Sequence, residues 1–231
     1  MKKAFIFILV MLLVSATVFA ATIDSGDYYY GSDDEKLDDY FGFSIGASLL
    51  YETYEAASGK VVDKALQAYG GLTEFAFFGD ASFGVYVDGG ILVNVEDSYN
   101  PEDVSKSPAY ADATLGLAYR AKTDTRTSLL MYFGPEFTYF TNQYKYIDGY
   151  DLVYVDKTYM TMGATLGLET VYNIGGNWYL SAGAKASFLF LKWVTKEETT
   201  WHGSTAESEI DDNKGYLGFR VIPKISLYYK F

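Results

Sequence analysis

The residues best suited to acid–base chemistry stand close together near the C-terminal end of the sequence. His202 is the one histidine of the chain, and Ser204, Glu207, Ser208 and Glu209 follow it within seven positions. An imidazole can act as general base towards a serine hydroxyl only when the two groups are within hydrogen-bond reach. One histidine in a serine-rich stretch does not establish that geometry. We therefore expect no catalytic residues, with a lipid-modifying enzyme built on His202 as an alternative.

Composition excludes several classes of site and partner. The 231 residues contain no cysteine, so neither disulfides nor thiolate metal sites are possible. The acidic pairs at 197–198 and 211–212 are expected to be solvated charges rather than metal ligands. The formal net charge is −12, whereas binding to nucleic acid phosphates needs an excess of Lys and Arg. The sequence thus predicts no metal, no cofactor and no nucleic acid partner.

The first twenty residues have the features of a secretory signal peptide. Lysines at 2–3 precede an apolar run at 4–14, and small residues lead up to Ala20. This arrangement is typical of an export signal, and the run is shorter than the ~20 residues of a membrane-spanning helix. We expect cleavage after Ala20, with Ala16 as the second candidate, which changes the net charge from −12 to −14. Residues 21–39 are acidic and tyrosine-rich, and we expect a mostly disordered tail there.

Apolar and polar residues alternate along the last segment of the chain. From Leu217 to Phe231 every odd position is apolar or aromatic, whereas the even positions include Arg220, Lys224 and Lys230. A period of two indicates a β-strand with one apolar face, and the run exceeds the ~9–11 residues of a tilted membrane strand. The same pattern recurs upstream. The segments that show it are 41–52, 83–95, 111–120, 131–139, 160–172 and 178–190, with 65–78 the least regular.

The segments predict an all-β chain of about eight strands, and ten strands are also compatible with the pattern. Their connections alternate in length. The short ones are 79–80, 121–125 and 175–177, and the longer, polar and acidic ones are 55–64, 96–108, 143–156 and 195–213. Short and long connections therefore fall at opposite ends of the strands, as in membrane-spanning up-and-down barrels. Pro135 interrupts one segment, and we expect a β-bulge at this position.

Charged residues recur at positions that the alternation places on the polar face. They are Asp88, Asp112, Arg120, Glu136, Glu169, Lys185, Arg220 and Lys224. In an eight-stranded barrel this face lines a lumen just wide enough for side chains. Buried charges must pair there, or each carries a desolvation cost of several kcal/mol. We expect a network of ion pairs that fills the lumen, with a narrow pore lined by these charges as the alternative.

Aromatic residues mark the expected limits of the apolar face. Trp178 and Phe190 are twelve residues apart on that face of one segment. In a strand tilted by ~45° this separation covers ~28 Å along the barrel axis. The apolar band of an outer-membrane barrel is ~25 Å tall and is flanked by aromatic girdles. We assign both residues to these girdles.

The chain ends in Phe231, with Tyr229 two positions earlier on the same face. This ending resembles the assembly signal of bacterial outer-membrane proteins. From about Asp38 onwards the chain resembles the small outer-membrane β-barrels typified by OmpX, OmpW and the transmembrane domain of OmpA. The resemblance implies a closed antiparallel up-and-down barrel over residues 40–231, in contact with outer-membrane lipid and with the barrel-assembly machinery through its last strand.

The same resemblance implies a location in the outer membrane of a Gram-negative-type bacterium. It implies a non-enzymatic role in the cell envelope or in surface interactions through the long connections. The sequence does not identify an extracellular ligand. A narrow, porin-like channel for small solutes or apolar molecules is the alternative that the sequence leaves open.

Overall fold

The structure is a computed structural model that describes residues 38–56, 59–78, 82–97, 109–123, 125–148, 151–201, 204–207 and 215–231. These residues form nine β-strands. In chain order they are β1 Asp38–Ala56, β2 Gly59–Phe77, β3 Phe83–Asp97, β4 Ala109–Lys122, β5 Thr127–Asp148, β6 Asp151–Gly175, β7 Trp178–Trp201, β8 Ser204–Glu207 and β9 Leu217–Lys230. The expected signal peptide at 1–20 lies outside the described residues, as does the expected tail at 21–39 except for its last two residues, which begin β1. No helix in the described ranges is long and apolar enough to span a membrane.

Eight of these strands close into a barrel. Each strand from β1 to β7 pairs antiparallel with the next one, and β9 pairs with both β7 and β1. The short strand β8 forms a hairpin with the end of β7. Each barrel strand therefore has two hydrogen-bonded neighbours, which removes the exposed edges of an open sheet. The predicted closed all-β barrel of about eight antiparallel strands is confirmed.

The register of the pairs shows that the strands are tilted. A path that starts at Gly42 and steps to the opposite residue on each next strand returns to β1 at Glu52, ten residues further on. The path runs through Gly42, Thr73, Asp88, Thr114, Glu136, Gly163, Leu189, Gly218 and Glu52. Such a shift in a barrel of eight strands accompanies a tilt of ~35–45°.

Burial alternates along the strands with charged groups inside and apolar groups outside. On β5, each odd position from Met131 to Tyr139 is exposed and each even position from Tyr132 to Phe140 is buried. Glu136 is completely buried, whereas Phe133 is 59% exposed. An apolar exterior around a polar interior is the pattern of a barrel that faces lipid.

The two ends of the barrel differ. Both ends of the described chain, Asp38 and Phe231, lie at one end together with the short turns after β2, β4 and β6, which we call the short-turn end. The turn after β6 uses Gly175 and Gly176, whose φ angles of 136° and 57° are rarely adopted by other residues. The amide of Gly175 donates a hydrogen bond to Asn173 Oδ1, which closes this turn.

The opposite end, which we call the hairpin end, differs from the sequence prediction. The connections expected at 55–64 and 143–156 are instead mostly strand, because β1 pairs with β2 up to Ala56–Gly59 and β5 pairs with β6 up to Asp148–Asp151. Part of the connection expected at 195–213 is also strand, in β7 and β8. These stretches are polar but rich in Tyr, Val and Thr, which favour strands.

The bulge expected at Pro135 is also wrong. Pro135 lies opposite Ala164 in an uninterrupted register between β5 and β6. On the other side, Thr114 faces Glu136 and Leu117 faces Phe133, so the β4 register is unchanged across the proline. Because proline has no amide hydrogen, the ladder omits a bond there without inserting a residue.

Candidate functional site in the barrel lumen

All eight charged residues predicted to face inwards are buried in the structure. Seven of them form one connected network at mid-height in the lumen. They are Asp88, Asp112, Glu136, Glu169, Lys185, Arg220 and Lys224. The eighth, Arg120, lies near the short-turn end. The network therefore contains four carboxylates and three cations, which come from six of the eight barrel strands, β3 to β7 and β9.

Lys185 is the centre of this network. Its Nζ lies 2.6 Å from Asp88 Oδ1 and 2.6 Å from Asp112 Oδ2, and it donates a third hydrogen bond to Thr114 Oγ1 at 3.3 Å. Glu136 Oε2 is 4.0 Å away. Lys185 is on β7, whereas Asp88 is on β3, four strands away around the ring of eight. The ion pair therefore spans the full width of the lumen.

Arg220 and Glu136 form a second pair. Arg220 Nη1 donates hydrogen bonds to Glu136 Oε1 at 3.0 Å and to Thr138 Oγ1 at 3.3 Å. The Ser187 hydroxyl donates to Glu136 Oε2. Both oxygens of this fully buried carboxylate thus have donors, which offsets the cost of removing its charge from water.

Both oxygens of Glu169 have two polar partners each. Lys224 Nζ lies 2.9 Å from Glu169 Oε1, and the hydroxyl of Tyr132 donates to the same oxygen at 3.0 Å. Oε2 accepts from Ser181 at 2.6 Å and from Tyr228 at 3.0 Å. A carboxylate with this many donors is held in one position, and its tyrosine partners connect the charged network to aromatic side chains nearby.

Aromatic layers lie on both sides of the charges. Towards the short-turn end, the ring of Tyr132 packs against Tyr86 at a centroid distance of 4.7 Å and against Phe75 at 5.7 Å. Towards the hairpin end, Phe140 lies 4.2 Å from Tyr110 and 4.3 Å from Tyr159. Large side chains therefore fill the described lumen at three successive levels.

Glycines on the inner face make room for these rings. A Cβ added at Gly167 would overlap the ring of Tyr132, and one at Gly90 would overlap the ring of Tyr69. A glycine on one strand therefore receives a tyrosine ring from another. This pairing gives a packing reason for a chain with 22 Gly and 23 Tyr.

Arg120 has a different environment from the other predicted charges. Its Nη1 donates a hydrogen bond to the hydroxyl of Tyr40 at 2.9 Å, and its guanidinium lies 4.3 Å from the centroid of Phe77. Asp112, on the same strand, belongs to the network, but it is eight residues away, or ~26 Å along the strand. Inward direction alone does not distinguish these two levels of the lumen.

The residues assigned to the girdles and to the assembly signal lie on the exterior. Trp178 and Phe190 are both exposed. The ring of Trp178 meets Tyr229 edge-on at 5.0 Å, and Tyr229 meets Phe231 at 5.1 Å. The amide of Phe231 donates to the carbonyl oxygen of Asp39 at 2.9 Å, which ties the end of the chain to β1.

Most of the residues that could form the predicted catalytic site around His202 lie outside the part of the chain that the structure describes. His202, Ser208 and Glu209 lie outside the described residues, so the enzyme alternative stays a prediction. Within the described residues, no three side chains of His, Asp or Glu are grouped so as to hold a metal ion.

No family model and no curated protein matches the chain. Similar solved structures include a major outer membrane protein of Thermus thermophilus, with 13% identity, a TM-score of 0.49 and coverage of 83% of this chain and 99% of that one. Ail, the attachment invasion locus protein of Yersinia pestis, has 13% identity, a TM-score of 0.43 and coverage of 83% and 98%. Neisserial surface protein A has 12% identity, a TM-score of 0.43 and coverage of 82% and 97%. TM-scores this low leave the function to be inferred from the barrel's own geometry. The chain's own strand pairing shows a closed, antiparallel, eight-stranded barrel, which is the architecture of small outer-membrane β-barrels.

Among the described residues, two further buried charges lie outside the predicted set, Glu52 and Lys192. The carboxylate of Glu52 accepts a hydrogen bond from Tyr216 at 2.6 Å, and Lys192 Nζ lies 4.3 Å from the ring of Tyr159. Glu52 follows the alternation of its strand and could be assigned to the lumen by parity. Lys192 could not, because Phe190 and Leu191 are both exposed and the register shifts there. A bulge of this kind reverses the parity of the residues beyond it.

Proposed function

We propose that the protein is an integral outer-membrane barrel whose lumen is filled by its own side chains and whose function resides in the structure at its hairpin end. The filled lumen is the observation that carries this proposal. Lys185, Arg220 and Lys224 are each at most 1% exposed and each has a carboxylate partner. A barrel closed in this way is suited to presenting a surface rather than to passing solutes.

The exterior supports the membrane location. Large apolar side chains such as Ile45, Leu117 and Phe133 face outwards and are each more than half exposed. Exposure of this much apolar area is costly in water and favourable in lipid. Because a membrane strand must pair all of its backbone groups, a closed barrel is the β-structure that satisfies this condition.

The hairpin end supports a role in surface interactions. The strands β5, β6, β7 and β8 continue as a four-stranded sheet beyond the last pairs of the closed ring, which are Ala109–Thr141 and Leu189–Gly218. Residues 195–213 carry six acids and one lysine. This sheet and its acidic connection would meet partners outside the cell if the short turns face the periplasm, as in other barrels of this kind.

Solute permeation tests the filled lumen. Proteoliposomes that contain the folded protein should swell in small sugars no faster than empty liposomes. Swelling that is reproducible and depends on solute size would support the channel alternative instead. For the enzyme alternative, His202→Ala should leave the lipid composition of the membrane unchanged relative to the wild type.

Orientation is tested by labelling of intact cells, because the chain has no cysteine of its own. Thr205→Cys, on β8, should react with a membrane-impermeant maleimide. Thr125→Cys, in the short turn after β4, should react only after the outer membrane is permeabilised. The reverse pattern would invert the proposed orientation.

A further inference from the structure

A carboxylate, that of Glu74, interrupts the apolar exterior of the described barrel. Along β2, Glu74 is exposed among outward residues that are otherwise apolar or glycine, namely Leu66, Ala68, Gly70, Leu72 and Ala76. On the neighbouring strands it lies opposite Phe41 and Val87, which are 41% and 51% exposed. Of the outward residues described above the level of Asp39 and below that of Phe190, Glu74 alone is an Asp, Glu, Lys or Arg.

The register gives the depth of Glu74. Trp178 lies opposite Tyr229, Tyr229 opposite Phe41, and Phe41 opposite Glu74. One full turn around the eight strands ends ten residues further along β1, from Gly42 to Glu52. Each step to the next strand therefore rises ~3 Å along the barrel axis, towards the hairpin end. Three such steps place Glu74 ~9 Å further from the short-turn end than Trp178. The attachment point of this carboxylate therefore lies on the lipid side of the aromatic girdle.

A charge at this depth needs a partner. An ionisable residue facing lipid is costly unless it reaches the interface or is paired. No hydrogen bond or ion pair joins Glu74 to another residue within the described part of the chain. Its side chain is long enough to extend towards the headgroup level, where the chain presents further groups.

Asp39 lies at that level. It is on the same outer face, opposite Ala76, and is thus the diagonal neighbour of Glu74 across the β1–β2 pair. Its Oδ1 is buried and has no hydrogen-bond partner among the described residues. The diagonal separation in such a pair is ~7–8 Å, which allows one small cation to contact both carboxylates. The exposed ring of Phe41 borders the same space, and aromatic faces attract ammonium ions.

We propose that Glu74, with Asp39, binds the primary ammonium headgroup of a phospholipid in the leaflet at the short-turn end. This inference rests on the proposed membrane location. A primary ammonium carries three N–H donors and a positive charge, and so suits two carboxylates. A trimethylammonium headgroup has no N–H donors, and an anionic glycerol headgroup is repelled by both acids.

The test measures which lipids remain bound to the protein. The folded barrel is placed in nanodiscs that contain equal amounts of ethanolamine, choline and glycerol phospholipids with identical acyl chains. The lipids retained on the released protein are counted by native mass spectrometry. The wild type should retain ethanolamine lipid about fivefold over choline lipid, as expected for a partly exposed ion pair.

Three variants distinguish loss of the lipid site from misfolding and from the effect of any polar substitution on the lipid-facing surface. Glu74→Gln and Glu74→Leu should both abolish the preference, and leucine suits a lipid-facing position, so this variant should fold at least as well as the wild type. Leu117→Gln, at an exposed outward position on β4 opposite Val85, introduces an amide elsewhere on the lipid face and should keep the preference. Folding of each variant is verified from its different gel mobility with and without heating.

The proposal is overturned by a wild type without headgroup preference, by a preference that survives in both Glu74 variants, or by an equal loss in Leu117→Gln. It is also overturned if native mass spectra show a dimer that Glu74→Gln dissociates, because the carboxylate would then contact a second copy. A wild type that folds in choline liposomes but shows no preference leaves the membrane barrel intact. Failure to insert into any lipid would instead contradict the proposed function.

Discussion

Lys185 Nζ and Asp88 Oδ1, which belong to opposite walls of the barrel, are 2.6 Å apart at the centre of the lumen. The same ammonium holds Asp112 from the adjacent strand at 2.6 Å. Strand β7 is thereby joined across the lumen to β3 and β4, with which it shares no backbone ladder. These ion pairs block the centre of the lumen.

Removal of the central cation should destabilise the barrel strongly. Lys185→Met keeps most of the side-chain volume but leaves two buried carboxylates without the cation they share. We expect a loss of about 3–5 kcal/mol in the free energy of unfolding, since breaking a buried pair leaves an uncompensated charge. Urea unfolding in lipid vesicles measures this change. Lys122→Met, at an exposed position near a short turn, serves as the control and should change stability by less than ~0.5 kcal/mol.

An added methyl group should destabilise the barrel at an inner glycine but not at an outer one. Gly167→Ala places a methyl group in the volume of the Tyr132 ring, whereas Gly70→Ala, on the outer face, adds a methyl group with no atom within 4 Å. We expect a loss of about 1–3 kcal/mol for Gly167→Ala from overpacking. Gly70→Ala should be neutral or slightly stabilising in the same unfolding measurement. Equal effects of both substitutions would contradict the proposed packing of ring against glycine.

The bulge in β7 predicts a break in the alternation of lipid exposure. Nitroxide labels on Phe190→Cys and Leu191→Cys should both be accessible to oxygen dissolved in the bilayer, whereas a label on Lys192→Cys should not. Electron paramagnetic resonance of the three variants in lipid vesicles measures this accessibility. Strict alternation through all three positions would show that β7 has no bulge there.

The C-terminal residue should matter more for assembly than for stability. Phe231 is 70% exposed, so its deletion removes little buried area. We expect unfolding of the purified barrel to change by less than ~1 kcal/mol. In cells, the deletion should strongly reduce the amount of protein in the outer membrane, if the chain end acts as the assembly signal that it resembles. Normal outer-membrane yield of the deletion variant would contradict that role.

Much of the barrel could be predicted from residue alternation. The period of two gave the direction of Asp88, Glu136 and Lys185 towards a common lumen, because side chains on a strand alternate strictly between its faces. Alternation also placed Trp178 and Phe190 outside. Alternation does not show how high along the barrel axis a side chain lies, because this height depends on the register between strands. For this reason Arg120 could not be separated from the network.

Other features depend on contacts between distant segments. The irregular segment 65–78 supplies Tyr69, Phe75 and Phe77 to the lumen, but aromatic residues of this kind suit either face of a membrane strand. Lys192 faces inwards only because of a bulge that leaves no clear mark in the sequence. The hairpin strands at 143–156 were predicted as connections because their polar residues are compatible with both states.

Planar-bilayer conductance tests the central claim of a filled lumen most directly. The wild-type protein, folded and inserted into a planar bilayer, should produce no reproducible single-channel steps over the voltage range in which the bilayer itself is stable. Reproducible steps of one defined conductance that disappear when the protein is omitted would contradict the closed lumen centred on Lys185 and Asp88.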